Sequence, residues 1–208
     1  MAIDEKIKRT IGSLKKNNIK AAFAKSPEQA AEMALAMICK EDRIGMGGSM
    51  TLKQIGLIDS LKKEGYNLLD WVYEKNTEEE KTALLKESLT ADVFLTGTNA
   101  ISQDGKLINK DGRGNRLAAL VYGPEKVIVI AGKNKIVKNS EEGLRRIENI
   151  AGPLNSKRLN KKTPCVLSGK CEDCSSIDRI CRHTVITERQ MQGAERINVI
   201  IIDGEYGL

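Results

Sequence analysis

Arg43-Ile44-Gly45-Met46-Gly47-Gly48-Ser49-Met50-Thr51 is the stretch on which the fold turns. Arg43 to Met46 reads as a short strand, Gly47-Gly48 as a turn, and Ser49 as the opening of a helix that runs toward Ile58 and Leu61. A strand that passes through glycines straight into a helix is the joint of an α/β layer fold. The same joint is an anion site in waiting, since a helix start carries amides without partners and glycine lets a ligand approach them. Gly47, Gly48, Ser49 and Thr51 are the candidate ligand-binding residues here. Ser49 acting only as the N-cap of a tight turn is an equally good reading. The string lacks the Gly-Lys-Ser/Thr ending of a P-loop and the spaced third glycine of a dinucleotide fingerprint.

Working outward, helices and strands alternate. Ile3, Ile7, Ile11 and Leu14 set a helix over residues 3–17. Ile19 to Ala24 reads as a strand. Ser26-Pro27 caps a helix that extends through Cys39, with Cys39 beside its buried face. Asn67 to Val72 reads as a strand, and Thr77 with Glu80 forms a capping box for a helix to Leu89. Asp92 to Gly97 is a strand, and Asp104-Gly105 marks a hairpin between 100–103 and 106–109. Arg116 to Tyr122 reads as a helix, Lys126 to Ala131 as a buried strand, Ser140 to Ile150 as a helix and Arg196 to Asp203 as a last strand. The expectation is a mixed, largely parallel open sheet with helices on both faces, the hairpin making it mixed. Residues 1–152 form the α/β core of one domain spanning 1–208.

In such sheets ligands sit outside the carboxyl ends of the strands. Gly97-Thr98-Asn99 and Asp111-Gly112-Arg113-Gly114-Asn115-Arg116 should therefore face the crevice of Ser49. Asp111 is the candidate acid/base. Asn99, Gly114 and Asn115 are candidate ligand contacts, and Arg116 is a candidate anion clamp. Lys133, at the end of the next strand, would add positive charge. For Asp111 a plain turn, and for Lys133 a solvated surface lysine, are the competing readings. Removal of Ser49 or Arg116 should abolish ligand binding with little loss of fold.

Four of five cysteines crowd into the segment 163–184, placed before the last strand. Cys165, Cys171, Cys174 and Cys181 supply four soft ligands around one Cys-x-x-Cys pair, enough for zinc or an iron–sulfur cluster. His183, the single histidine, is the less favoured ligand, and free or redox-active thiols are the alternative to metal. The run Lys157 to Lys162 reads as a solvated basic linker rather than a nucleic-acid patch.

Charged residues are 30% of the chain and hydrophobic ones 40%, which excludes wholesale disorder, collagen and a disulfide-dense mini-protein. The longest aliphatic runs are too short to span a bilayer, and the N-terminus has no apolar leader region, so the expected location is cytoplasmic. A net charge of +6 favours anionic ligands, while an aromatic share of 3% leaves few rings to stack nucleic-acid bases. A homo-oligomer is compatible with the sequence.

The glycine turn, Thr96-Gly97-Thr98-Asn99-Ala100-Ile101, Asp111 to Arg116, Gly123-Pro124 and Val129 to Val137 together resemble the LUD domain of lactate utilization proteins. That resemblance implies the NagB/RpiA/CoA transferase-like fold. It implies a part in oxidising lactate to pyruvate beside oxidoreductase partner subunits, or a non-catalytic electron-transfer or assembly role. The same superfamily includes phosphosugar isomerases and CoA-linked enzymes. The four-cysteine tail resembles a subgroup feature, and no glutamate stands where CoA transferases place their nucleophile.

Overall fold

The computed structural model describes residues 3–72 and 76–208. Five strands form one wholly parallel sheet: β1 (Lys20–Ala24), β2 (Ile44–Met46), β3 (Val93–Thr96), β6 (Lys126–Gly132) and β9 (Ile197–Ile202). Their spatial order is β1-β9-β6-β3-β2, so the last strand of the chain inserts beside the first. The register between β6 and β9 runs from Val127 opposite Ile197 to Gly132 opposite Ile202.

Both faces of this sheet are covered, which is why its central strands carry continuous aliphatic runs instead of alternating polarity. Ile128, Ile130, Ile200 and Ile202 point to one side. There they meet α2 (Pro27–Leu35), α3 (Met50–Gln54) and α4 (Leu57–Lys63). Val127, Val129, Ala131, Val199 and Ile201 point to the other. That side packs on α1 (Glu5–Lys16) through Ile7 and Leu14, and on α6 (Asn115–Val121) through Ala119 and Leu120.

The hairpin β4 (Ala100–Ser102) and β5 (Leu107–Asp111) forms where expected, but not in this sheet. It belongs to a second, four-stranded sheet with β7 (Ile136–Val137) and β8 (His183–Thr187), in the order β7-β4-β5-β8. The mixed character of the fold thus lies in this small sheet. Its hairpin turn is tied to the end of α1, where the Asn17 side-chain amide donates to the carbonyls of Asp104 (3.0 Å) and Gly105 (2.9 Å).

Ser26 and Thr77 cap their helices as expected, the latter with the full capping box that opens α5 (Glu78–Glu87). Four other readings need correction. The helix from Ser49 is interrupted: α3 ends before Gly56, whose φ of 70° breaks it from α4. α2 ends at Leu35, so Cys39 lies beyond it and is exposed, although Ile38 stays buried. Residues 67–72 make one isolated bridge, Leu68 to Ile44, instead of a strand. The helix read over 140–150 does not stop at its expected end. α7 (Ser140–Arg146) passes through a π-helical turn (Ile147–Ala151) into α8 (Gly152–Arg158). Proline fits there because the turn is π-helical: Gly152 N reaches back to Ile147 O, and the Glu148 carbonyl accepts from Cys171 N at 2.8 Å in place of residue 153. Lys157 and Arg158 are consequently helical, and only the residues after them connect to α9 (Cys165–Ser168).

Candidate functional site

The carboxyl ends of β2, β3, β5 and β6 open onto one cleft of about 520 Å³. Gly48 and Ser49 follow β2, Gly97, Thr98 and Asn99 follow β3, Asp111 to Arg116 follow β5, and Lys135 follows β6. The opposite wall comes from Arg158 and Leu159 at the end of α8, and from Ile177 to Ile180 and Arg182 in the cysteine segment. The glycine turn and the turns after β3 and β5 therefore meet at one place, which the cysteine segment reaches through Ile177 to Ile180 and Arg182 and not through its cysteines.

Arg116 is the pillar of this cleft. Nη1 donates to Asn109 Oδ1 (2.6 Å) and to Gly97 O (3.4 Å). Nη2 donates to Lys110 O (2.9 Å) and to Asn99 Oδ1 (3.2 Å). Nε faces Asp111 Oδ2 at 3.5 Å, both side chains being 15% exposed. Burial depresses its pKa and the Asp111 charge opposes that shift. The guanidinium is thus committed to the protein and joins the end of β3 in the large sheet to β5 in the small one. Glycine is needed at 47 because a Cβ there would stand 2.9 Å from Arg116 Cδ. It is needed at 97 because a Cβ would stand 2.8 Å from Ser49 Oγ.

The other expected residues divide. Ser49 Oγ accepts from Leu52 N at 3.4 Å, a long N-cap bond, while the residue also lines the cleft. Five residues of α3 give little dipole, so any pull on an anion here comes from the local amides. Asn99 and Asn115 line the cleft. Gly114 adopts φ 87° and turns the chain into α6. Gly47 is buried beneath the turn, and Thr51 is fully buried. Lys133 is exposed, outside the cleft lining, and paired with Asp203 at 2.6 Å.

Its neighbour Lys135 is the residue the sequence reading passed over. It is 4% exposed and on the cleft lining, and Nζ meets Thr51 Oγ1 at 3.2 Å. Burial, then the charges of Arg146 and Arg116, bring its pKa down to about 7. Arg146 is held in turn by Asn99 O (2.7 Å), Leu208 O (3.2 Å) and Asn134 O (3.3 Å).

Among the described residues on the cleft lining eight are basic and two, Asp111 and Asp178, are acidic. Several cations are paired: Lys110 with Glu148 (2.9 Å), Lys161 with Asp178 (3.7 Å) and Arg179 with Asp173 (2.8 Å). Arg113, Arg158 and Arg182 are exposed to the opening without a carboxylate partner among the described residues.

Residues 7–202 match the LUD domain family. The chain belongs to that family. No curated protein matches it in sequence. Among solved structures, a duf162 family protein from Deinococcus radiodurans is similar over 98% of this chain and 99% of its own, with 15% identity and a TM-score of 0.55. That likeness supports the fold of this LUD domain. The delta subunit of eIF2B from Chaetomium thermophilum aligns over 68% of this chain and 55% of its own, at 21% identity and a TM-score of 0.36, too low to bear on the fold.

The cysteines of this LUD domain are all half-buried free thiols apart from the exposed Cys39. Cys165 Sγ is within 3.2 Å of Thr163 Oγ1 and 3.8 Å of Ser156 Oγ. Cys171 Sγ accepts from Asp173 N at 3.4 Å. The carbonyls of Cys174 and Cys181 accept from Arg179 at 2.7 and 3.3 Å. Burial raises the Cys181 pKa, with Arg179 opposing, so this thiol is not activated. Among the described residues no group of three or more His, Cys, Asp or Glu side chains is gathered closely enough to hold a metal ion. As placed, the four sulfurs do not form the expected shell.

A buried lysine with a lowered pKa makes the fold prefer the neutral amine. The unfolded chain then binds more protons than the folded one between about pH 7 and the ordinary lysine value near 10.4. Lys135 should therefore penalise stability fully below pH 7, and less as pH rises across that window. Lys135→Met should raise the melting temperature more at pH 6 than at pH 9. An equal gain at both pH values in thermal denaturation would contradict the placement.

Proposed function

We propose that this LUD domain binds a small organic acid anion of the lactate or pyruvate type in the cleft. On this reading it serves organic-acid utilization in the cytoplasm, alongside oxidoreductase partner subunits. The observation that carries the reading is the excess of cations on the cleft lining, eight against two acidic residues, around a volume of about 520 Å³. A carboxylate drawn into that cleft meets the Gly48 and Ser49 turn, the Asn115 side chain, Lys135, and the exposed guanidiniums of Arg158 and Arg182. Asp111, ion-paired to Arg116, is the carboxylate available as acid/base. Arg116 shapes the wall in place of clamping the ligand.

Arg158→Ala and Arg182→Ala test this without touching the pillar. Each should weaken pyruvate or lactate binding in calorimetry by about tenfold or more, the worth of a charge-assisted hydrogen bond, with an unchanged melting temperature. Affinities equal to the parent protein's would count against the site.

A metal at the cysteines is a second reading, favoured by one observation. Asp173, at φ 44°, aims its amide at Cys171 Sγ inside the Cys171-Cys174 turn, which places an amide donor where a thiolate would be stabilised. Binding would require the sulfurs to converge more closely than they do among the described residues. Protein purified without oxygen should then carry zinc, or show the broad visible absorbance of an iron–sulfur cluster. Colourless protein with less than about one metal per ten chains would dismiss it.

A further inference from the structure

Among the described residues Lys135 is the one lysine of the cleft that is buried with no carboxylate within ion-pair distance. It is 4% exposed, with Thr51 Oγ1 as its polar partner. By contrast Lys110 and Lys161 are paired to acids. Thr51 is itself fully buried, and Gly207 packs so close that a Cβ there would stand 2.7 Å from the amine. An amine held this way, facing a cavity that collects organic anions, is built less as a counter-ion than as a nucleophile.

We propose that Lys135 forms an imine with the ketone of a 2-oxo acid bound in the cleft; this rests on the organic-anion reading above. The nitrogen lone pair attacks the ketone carbon, a C–N bond forms, and the carbonyl π pair moves to oxygen. That oxygen takes up a proton and the nitrogen sheds one, with the Thr51 hydroxyl 3.2 Å away to relay it. A second proton, taken from solvent, lets the hydroxyl leave as water and gives the protonated imine, and nothing is oxidised or reduced. A 2-oxo acid suits the site better than a simple ketone. Its carboxylate, one bond from the C=N carbon, offsets a charge that Arg146 and Arg116 would otherwise make costly there. At about pH 8 the neutral fraction of this amine exceeds that of an ordinary lysine by on the order of a hundredfold.

Pyruvate with sodium cyanoborohydride at about pH 8 should trap one reduced adduct, and peptide mass mapping should place it on Lys135. Lactate, which has no ketone, should give none. Lys135→Met and Lys135→Arg should abolish the adduct. Both variants should keep a cooperative melting transition. An adduct spread evenly over the surface lysines, retained in either variant, or absent from Lys135 overturns the inference. Calorimetry separates the two claims: pyruvate binding with no Lys135 adduct removes only the imine, whereas no binding removes the anion reading too.

Discussion

The structure hangs on the guanidinium of Arg116. Its partners come from the end of β3, from β5 and from the Asp111 turn, so a single side chain bolts the large parallel sheet to the small one. The cost of burying it is met by hydrogen bonds to every face of the fork and by one carboxylate, which is the condition for a buried charge to be tolerated. Asn109, fully buried, spends Oδ1 on Arg116, Thr98 and the Asn99 amide. The neighbouring Asn99 Oδ1 receives both Arg116 and the Lys110 amide. With this cage closed, the turns after β2, β3 and β5 are fixed against each other, and the cleft has a shape before any ligand arrives.

That rigid side is opposed by a softer one. The cysteine segment enters the cleft wall through Ile177 to Arg182 and returns as β8, where Asp111 is paired opposite His183 and Arg182 N donates to Asp111 O at 3.0 Å. The same turn that presents Asp111 is therefore pinned from both sides, by Arg116 and by the end of the cysteine segment. A rearrangement of the sulfurs would be felt in the cleft through these contacts.

Much of this was legible in the residues. The glycine turn lies at the carboxyl end of a parallel strand because short strands, glycines and helix caps leave few other solutions. What escaped has physical causes. Asp104-Gly105 announces a hairpin but is silent about which sheet receives it, and only the Arg116 cage and the Asn17 bonds settle that. Thr184 to Thr187 is a β-branched run hidden by the attention the cysteines draw. Lys133 and Lys135 are equivalent as letters. The tight turn after β6 sends the first out to Asp203 and the second inward to Thr51, a difference of direction that periodicity does not encode. Cys39 was misplaced because the apolar stripe outlasts the helix that would have made it meaningful.

Hydrogen exchange combined with urea unfolding of Arg116→Met tests the pillar most directly. The substitution should cost about 3–5 kcal/mol, the toll of orphaning a buried charge partner. Amides of β4 and β5 should lose protection well before those of β6 and β9. Stability within about 0.5 kcal/mol of the parent, with the small sheet as protected as before, would contradict it.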